Sequence, residues 1–268
     1  MTRELPHFDL TLLRVDGRRW DEIRKIEAKI SAHHGSDGTC YLEAGNTKIA
    51  CTVSRPAEMR QVHSAPAAGS DAQVQVKITN SGSIDSDRQS KRQERSNFPG
   101  IFFQASSSTP LMLLFSSMID MRNAIASALS SCIQTHLYTR SMIVIELYVL
   151  SRDGSLLAAC INAGILALLH AGIPMSGILG ACTVGYRSNG VSSTAENLLL
   201  DPNGQEEQEA STMTVVSHEL CDSVAYLAFD NWKYDVNAEQ ILFTALEGCR
   251  RIRGMISETV ETDSVVSK

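Results

Sequence analysis

Residues 141–170, SMIVIELYVLSRDGSLLAACINAGILALLH, constrain the fold more than any other stretch. Positions 142–150 are apolar almost throughout, with Glu146 as the exception. That is the pattern of a strand buried on both faces. An Asp153-Gly154-Ser155 turn follows, then an alanine-rich helix over 157–171 that Gly172 and Pro174 bring to a stop. Strand, tight turn and helix start converge on one spot, where backbone N–H groups and the positive end of the helix dipole suit a phosphate. The residue directly after Gly154 and Ser155 is Leu156, where a phosphate site calls for a cation.

A chain of 268 residues buries one good core, or two fused halves of one. Its formal net charge of −6 excludes a whole-surface electrostatic grip on nucleic acid, so any such contact needs a local basic patch. The seven cysteines, at 40, 51, 132, 160, 182, 221 and 249, form no CxxC pair and no zinc-ligand spacing. They read as buried free thiols of a reducing compartment. The start, MTRELPHFDL, has no apolar core of a secretion signal.

Elsewhere, DGTCYLEAGNTKIACTV shows short apolar runs broken by Asp37-Gly38 and Gly45-Asn46, the punctuation of a hairpin. AQVQVKIT (72–79) alternates as a strand, and SGSIDSDRQSKRQERS reads as an exposed charged loop. NFPGIFFQASSSTPLMLLFSSMID (97–120) holds two apolar bursts around a serine run and Pro110, without a helix or strand period. Neither burst is long enough to span a membrane. A helix beginning near Met121 is predicted with the stripe Ile125, Leu129, Cys132, Ile133, His136 and Leu137. Strands are predicted at 178–186, 194–200, 212–217 and 223–229. A long helix closes the chain from about Asn237, which with Gln240 makes a capping-box pattern. Its stripe is Ile241, Leu242, Ala245, Leu246, Cys249, Ile252 and Ile256. The order of elements is α+β with two related halves.

RVDGRRWDEIRKI, GNTKIACTV and above all RSMIVIELYVLSRDGSLLAACINAGILALLHAGIPM resemble the RNase PH family, and within it the ring subunits of the eukaryotic RNA exosome core. The resemblance runs from about residue 14 to 258. It implies duplicated β-α units of the type shared with a domain of a small-subunit ribosomal protein. The division it implies is a first domain at 14–147, interrupted by an atypical segment at about 97–120, a second at 148–258 with the final helix, and a tail at 259–268. It further implies a six-membered ring with related subunits, a pore for single-stranded RNA, cap subunits, docked hydrolytic ribonucleases, and a nuclear, nucleolar and cytoplasmic location. No membrane contact, cofactor or metal is expected.

Active members of the family degrade RNA from its 3′ end with inorganic phosphate as nucleophile. Two anions must then be held together, which calls for a bidentate arginine, and carboxylates must hold a metal or a proton near the leaving oxygen. In active relatives an arginine follows the Gly-Ser or Gly-Thr pair, and two aspartates follow on a later segment. Here Leu156 stands at the arginine position, and the nearest cation, Arg152, lies upstream of the turn. Asp201 stands at the first carboxylate position and Glu207 at the second, so these three are vestigial positions in a chain without catalytic residues. A hydrogen bond to a charged group contributes about 1.5–3 kcal/mol, and the whole clamp is missing. The alternative is an active phosphate-dependent 3′-to-5′ exoribonuclease.

Arg88, Lys91, Arg92 and Arg95 concentrate positive charge in an acidic chain, where the family places a pore-facing loop. They are the predicted RNA-binding residues, with Arg55 and Arg60 as weaker members of the same track. A merely solvated loop is the competing reading. His33-His34 reads as a surface loop, Cys160 as a core thiol, and Arg250, Arg251 and Arg253 as a solvated face of the last helix. Segment 97–120 stands as either a lineage-specific loop or translated intron.

Overall fold

The computed structural model describes residues 14, 16–30, 37–58, 71–80, 111–187, 198–219, 223–230 and 238–266. Its first sheet starts from a strand that sequence patterning did not single out, β1 (Ile26–Ile30), paired antiparallel with β2 (Gly38–Ala44). Gly45, at φ +59°, and Asn46 turn β2 into β3 (Thr47–Val53), as the hairpin punctuation predicted. The sheet adds the short β4 (Ala57–Glu58), β5 (Gln73–Asn80) and β6 (Ser141–Ser151). β6 lies antiparallel to β3 and β4 and parallel to β5. The parallel pair needs a crossover, and α1 (Leu111–Cys132) lies within it, packing on β5.

β6 corrects one expectation. Ile143, Ile145, Leu147 and Val149 are buried, but Tyr148 and Leu150 are exposed, so the strand is covered on one face only. β-branched and aromatic residues suit a pleated strand even on its open face, and the apolar run therefore overstated its burial. The outer face is held by polar contacts. Tyr148 donates to Glu146 at 2.9 Å, and Lys77 pairs with Glu146 at 2.9 Å.

α1 corrects a second. It starts at Leu111, ten residues before the predicted start at Met121, so residues 111–120 of the atypical segment are helical and 97–110 lie outside the described residues. Leu, Met and Phe support a helix by propensity once past Pro110. Among its described side chains, Ala124, Ile125, Ala128, Leu129 and Cys132 are buried at helical spacing, whereas Ile119 is exposed. The predicted stripe also ran too far. The helix ends at Cys132, and His136 and the exposed Leu137 sit in a separate 3-10 turn.

After β6 come α2 (Leu156–His170), β7 (Leu179–Tyr186), β8 (Leu198–Leu200), α3 (Gly204–Glu209), β9 (Ser211–His218), β10 (Val224–Asp230) and α4 (Ala238–Val266). The second sheet runs β10-β9-β7-β8, antiparallel throughout. α2 packs on β2 and β3 of the first sheet and on β7 of the second, and so joins the two halves into one core. Asn162, buried in α2, locks this packing by donating to the Ala181 carbonyl at 2.9 Å and accepting its N–H at 3.0 Å. α4 crosses β7 and β9 and reaches β1. Its predicted stripe is buried at Ile241, Ala245, Cys249, Ile252 and Ile256. A division at 147/148 falls inside β6, a strand of the first sheet. The six described cysteines are free and buried.

Candidate functional site

The turn between β6 and α2 is forced into left-handed backbone, with Gly154 at φ +74° and Ser155 at φ +49°. Gly154 is needed twice over. A Cβ there would come within 2.5 Å of the Pro202 carbonyl oxygen and of the Asn203 carbonyl carbon. The loop after β8 therefore sits directly on the turn. Asp153 ties the two together, accepting the Gly204 N–H at 3.0 Å through one oxygen and Asn46 Nδ2 at 3.0 Å through the other. The Ser155 hydroxyl donates to the Pro202 carbonyl at 3.1 Å and makes no cap bond to α2.

Asp201 follows β8 directly and Glu207 lies in α3, and the two meet different surroundings. Asp201 is buried in left-handed backbone at φ +51°. Arg24 grips it with Nε to Oδ2 at 2.9 Å, Nη2 to Oδ1 at 2.8 Å and its backbone N–H to Oδ2 at 3.1 Å. The same guanidinium donates to the carbonyls of Asp153 at 2.5 Å and Gly154 at 3.3 Å. Burial alone would raise the Asp201 pKa, but the hydrogen bonds and charge of Arg24 outweigh it and hold the carboxyl below its ordinary value.

Next to it, Arg14 forms a buried bidentate pair with Glu206 and also donates to the Leu200 carbonyl at 2.6 Å. Glu206 closes a capping box on α3, accepting the Asn203 N–H at 2.9 Å while Asn203 Oδ1 accepts the Glu206 N–H at 2.9 Å.

Among the described residues Glu207 has no such partner. It is half-buried, and burial raises its pKa, opposed by the charge of Arg152 and by a hydrogen bond from the Ser155 backbone N–H, while the charge of Asp230 adds to the rise. Leu156 opens α2, only 7% exposed and packed into the core.

The predicted RNA-binding residues Arg88, Lys91, Arg92 and Arg95 lie outside the described residues, as do Arg60 and His33-His34. Arg55 is exposed and pairs with Asp37 at 2.6 Å. Cys160 is fully buried in α2, and burial pushes its thiol up to about 12, so it is an unreactive core thiol. The basic cluster of α4 is corrected at one position. Arg253 is buried and donates to Ser217 Oγ at 2.5 Å, because the helix turns this residue onto β9 and not outward.

The model of the 3′ exoribonuclease family, domain 1, matches residues 22–174. The exosome complex component RRP41 homolog of Arabidopsis thaliana is 32% identical over 253 residues, 94% of this chain and 93% of the relative. The chain belongs to the RNase PH family. The exosome complex component ski6 of Schizosaccharomyces pombe is 29% identical over 259 residues, covering 96% of this chain and 95% of its own. Among solved structures, rice Rrp46 superimposes with a TM-score of 0.69 at 19% identity, over 92% of this chain and 99% of that one. A chain of the Archaeoglobus fulgidus exosome with RNA bound to the active site gives a TM-score of 0.65 at 16% identity, over 91% of this chain and 92% of that one. The RNase PH fold is thus shared along nearly the whole length.

Sequence reasoning missed Arg14, Arg24 and Glu206. Nothing in the local pattern of RVDGRRWDEIRKI separates a buried arginine from an exposed one. Asn203 and Glu206 were legible as a capping pair three residues apart, a signal of the same kind as that used for the last helix.

Proposed function

We propose that this RNase PH chain is a ring subunit of an RNA exosome core that supports 3′-to-5′ RNA processing and decay without cleaving RNA itself. The observation that carries the reading is the turn at 153–156, where Leu156 faces the core in the place of the phosphate-clamping arginine. A phosphorolytic step must bring two anions together, and without a fixed cation their repulsion is unscreened. The partners are other RNase PH-type subunits, cap subunits and docked hydrolytic ribonucleases. The working location is the nucleus and nucleolus, and the cytoplasm.

On this reading the loop carrying Arg88, Lys91, Arg92 and Arg95 contacts single-stranded RNA through phosphates. No aromatic side chain is interleaved among them for stacking. Replacing Arg92 and Arg95 by Ala should weaken RNA binding by the ring alike for all sequences. The slope of log affinity against log salt should flatten by roughly one to one and a half units. Superimposable salt titrations would leave the loop merely solvated.

The test of the central reading is reconstitution. Rings assembled with this subunit, supplied with single-stranded RNA and phosphate, should release no nucleoside diphosphate above rings lacking it. Phosphate-dependent release that rises in proportion to this subunit would overturn the proposal.

A further inference from the structure

The first sheet packs one face on α1 and α2, and its other face carries a repeated arrangement. Register places Tyr41 of β2, Ala50 of β3 and Tyr148 of β6 in one row across three strands. Residues in register project to the same side, so the two tyrosines stand about 10 Å apart with the methyl group of Ala50 between them. Each ring is tied down in the same way. Tyr41 donates to Glu43 at 2.6 Å, and Lys48 reaches the same carboxylate oxygen at 3.2 Å. Tyr148 donates to Glu146 at 2.9 Å, and Lys77 pairs with Glu146 at 2.9 Å. These bonds hold both carboxyls below their ordinary values, Glu43 through Tyr41 and Lys48, and Glu146 through Lys77 and Tyr148. A hydroxyl that reaches a carboxylate two residues along its own strand lays its ring along the sheet. Both rings keep surface open to solvent, Tyr148 being exposed and Tyr41 half-buried.

A protein partner fits this face poorly. Protein interfaces are depleted in Lys and Glu, and covering the face would desolvate both Lys–Glu pairs. A single-stranded nucleic acid leaves those pairs in water. Its bases stack on aromatic faces, which every base permits, and its phosphates meet cations at the rim. Those cations are the exposed Lys29, opposite Tyr41 in register, and the partly exposed Lys48 and Lys77.

We propose that Tyr41 and Tyr148 form a base-stacking site for single-stranded RNA on the open face of the first sheet. This rests on the RNA-handling reading above and goes beyond it, because the site grips base faces where the basic loop at 88–95 grips phosphates. The two rings take two bases splayed across β3.

The experiment titrates the full-length chain with a labelled oligoadenylate and with an abasic ribose-phosphate strand of equal length. Wild type should bind the oligoadenylate more tightly. Tyr41→Ala with Tyr148→Ala should remove that preference, with a loss of roughly tenfold for each ring. Tyr41→Phe with Tyr148→Phe keeps the rings without the hydroxyl bonds and should retain most of it. The slope of log affinity against log salt should stay as in wild type, since no phosphate contact is removed. Equal affinity of wild type for the two strands overturns the proposal. So does a double Ala variant that binds oligoadenylate as wild type does, and if that variant also fails to join the ring, the face is a protein contact instead. The loop reading fails separately, on a salt slope that ignores Arg92→Ala and Arg95→Ala. Phosphate-dependent RNA cleavage by wild-type rings would sink the non-catalytic reading and leave this site standing.

Discussion

Asp201, just after β8, and Glu207, in α3, lie six residues apart, and their carboxyl groups are driven in opposite directions. Asp201 is the more deeply buried, yet its pKa is lowered, whereas the half-buried Glu207 has its pKa raised. Depth is not what separates them. Arg24 surrounds Asp201 with two guanidinium bonds and a backbone N–H, while Glu207 has one backbone N–H and the charge of Arg152 acting against burial and Asp230. A buried charge is tolerated where its partner geometry is complete, and strained toward neutrality where it is partial.

The largest test removes the complete partner. Arg24→Met should destabilise the chain by about 3–5 kcal/mol in urea unfolding, because it strands a buried carboxylate. Arg24→Met with Asp201→Asn should recover much of that loss. A single variant within ~1 kcal/mol of wild type would show that the pair contributes little net stability.

Gly154→Ala comes next. Strain from an alanine held in left-handed backbone is about 1–3 kcal/mol, and overlap with the Pro202 carbonyl adds to it. The same unfolding curves report it, and a loss below ~0.5 kcal/mol would mean the loop shifts freely off the turn.

Acid and alkaline arms sharpen the contrast in sign. Asp201, with its pKa depressed, contributes stability that is present above the ordinary value of 3.8 and lost as pH falls through its folded value. Glu207, with its pKa raised, contributes stability that is present below the ordinary value of 4.5 and lost as pH rises through its folded value. Glu207→Gln should therefore flatten the fall on the alkaline side of 4.5 and leave the Asp201 acid limb unchanged. A profile identical to wild type in both limbs would remove the distinction between the two carboxylates.

The smallest effect belongs to the outer face of the first sheet. Lys77 and Glu146 pair in partly exposed positions, so Lys77→Ala should cost no more than about 1 kcal/mol and lose that difference at high salt.

Where the chain's own spacing carries the information, the reading reached far. β7, β9, β10 and α2 lie within one residue of their predicted bounds, since alternation and helical stripes directly reflect which side meets the core, whereas α4 starts within a residue of its expected position but runs on to Val266, through most of the expected tail. Leu156, Asp201 and Glu207 were grouped by the resemblance to the RNase PH family, since nothing local in the chain links position 156 to positions 201 and 207. β1 was missed because IEAKI is short and its apolar residues are only partly buried. The early start of α1 was missed because residues 111–120 show no helical period in the sequence.

The sequence by itself determined the strand-turn-helix unit at 141–170, with its Asp153-Gly154-Ser155 turn, and the absence of a cation at position 156. Each depends on residues close together along the chain, where steric preference and side-chain chemistry act without outside help. Only the tertiary structure decided which carboxylate receives which partner. Arg14 and Arg24 reach Glu206 and Asp201 across separations of 192 and 177 residues, and one guanidinium looks like another until the fold excludes water around it. Burial supplies the energy that makes those pairings consequential. It leaves Asp201 charged and held by Arg24, and Glu207 half-buried with its carboxyl pushed above its ordinary value.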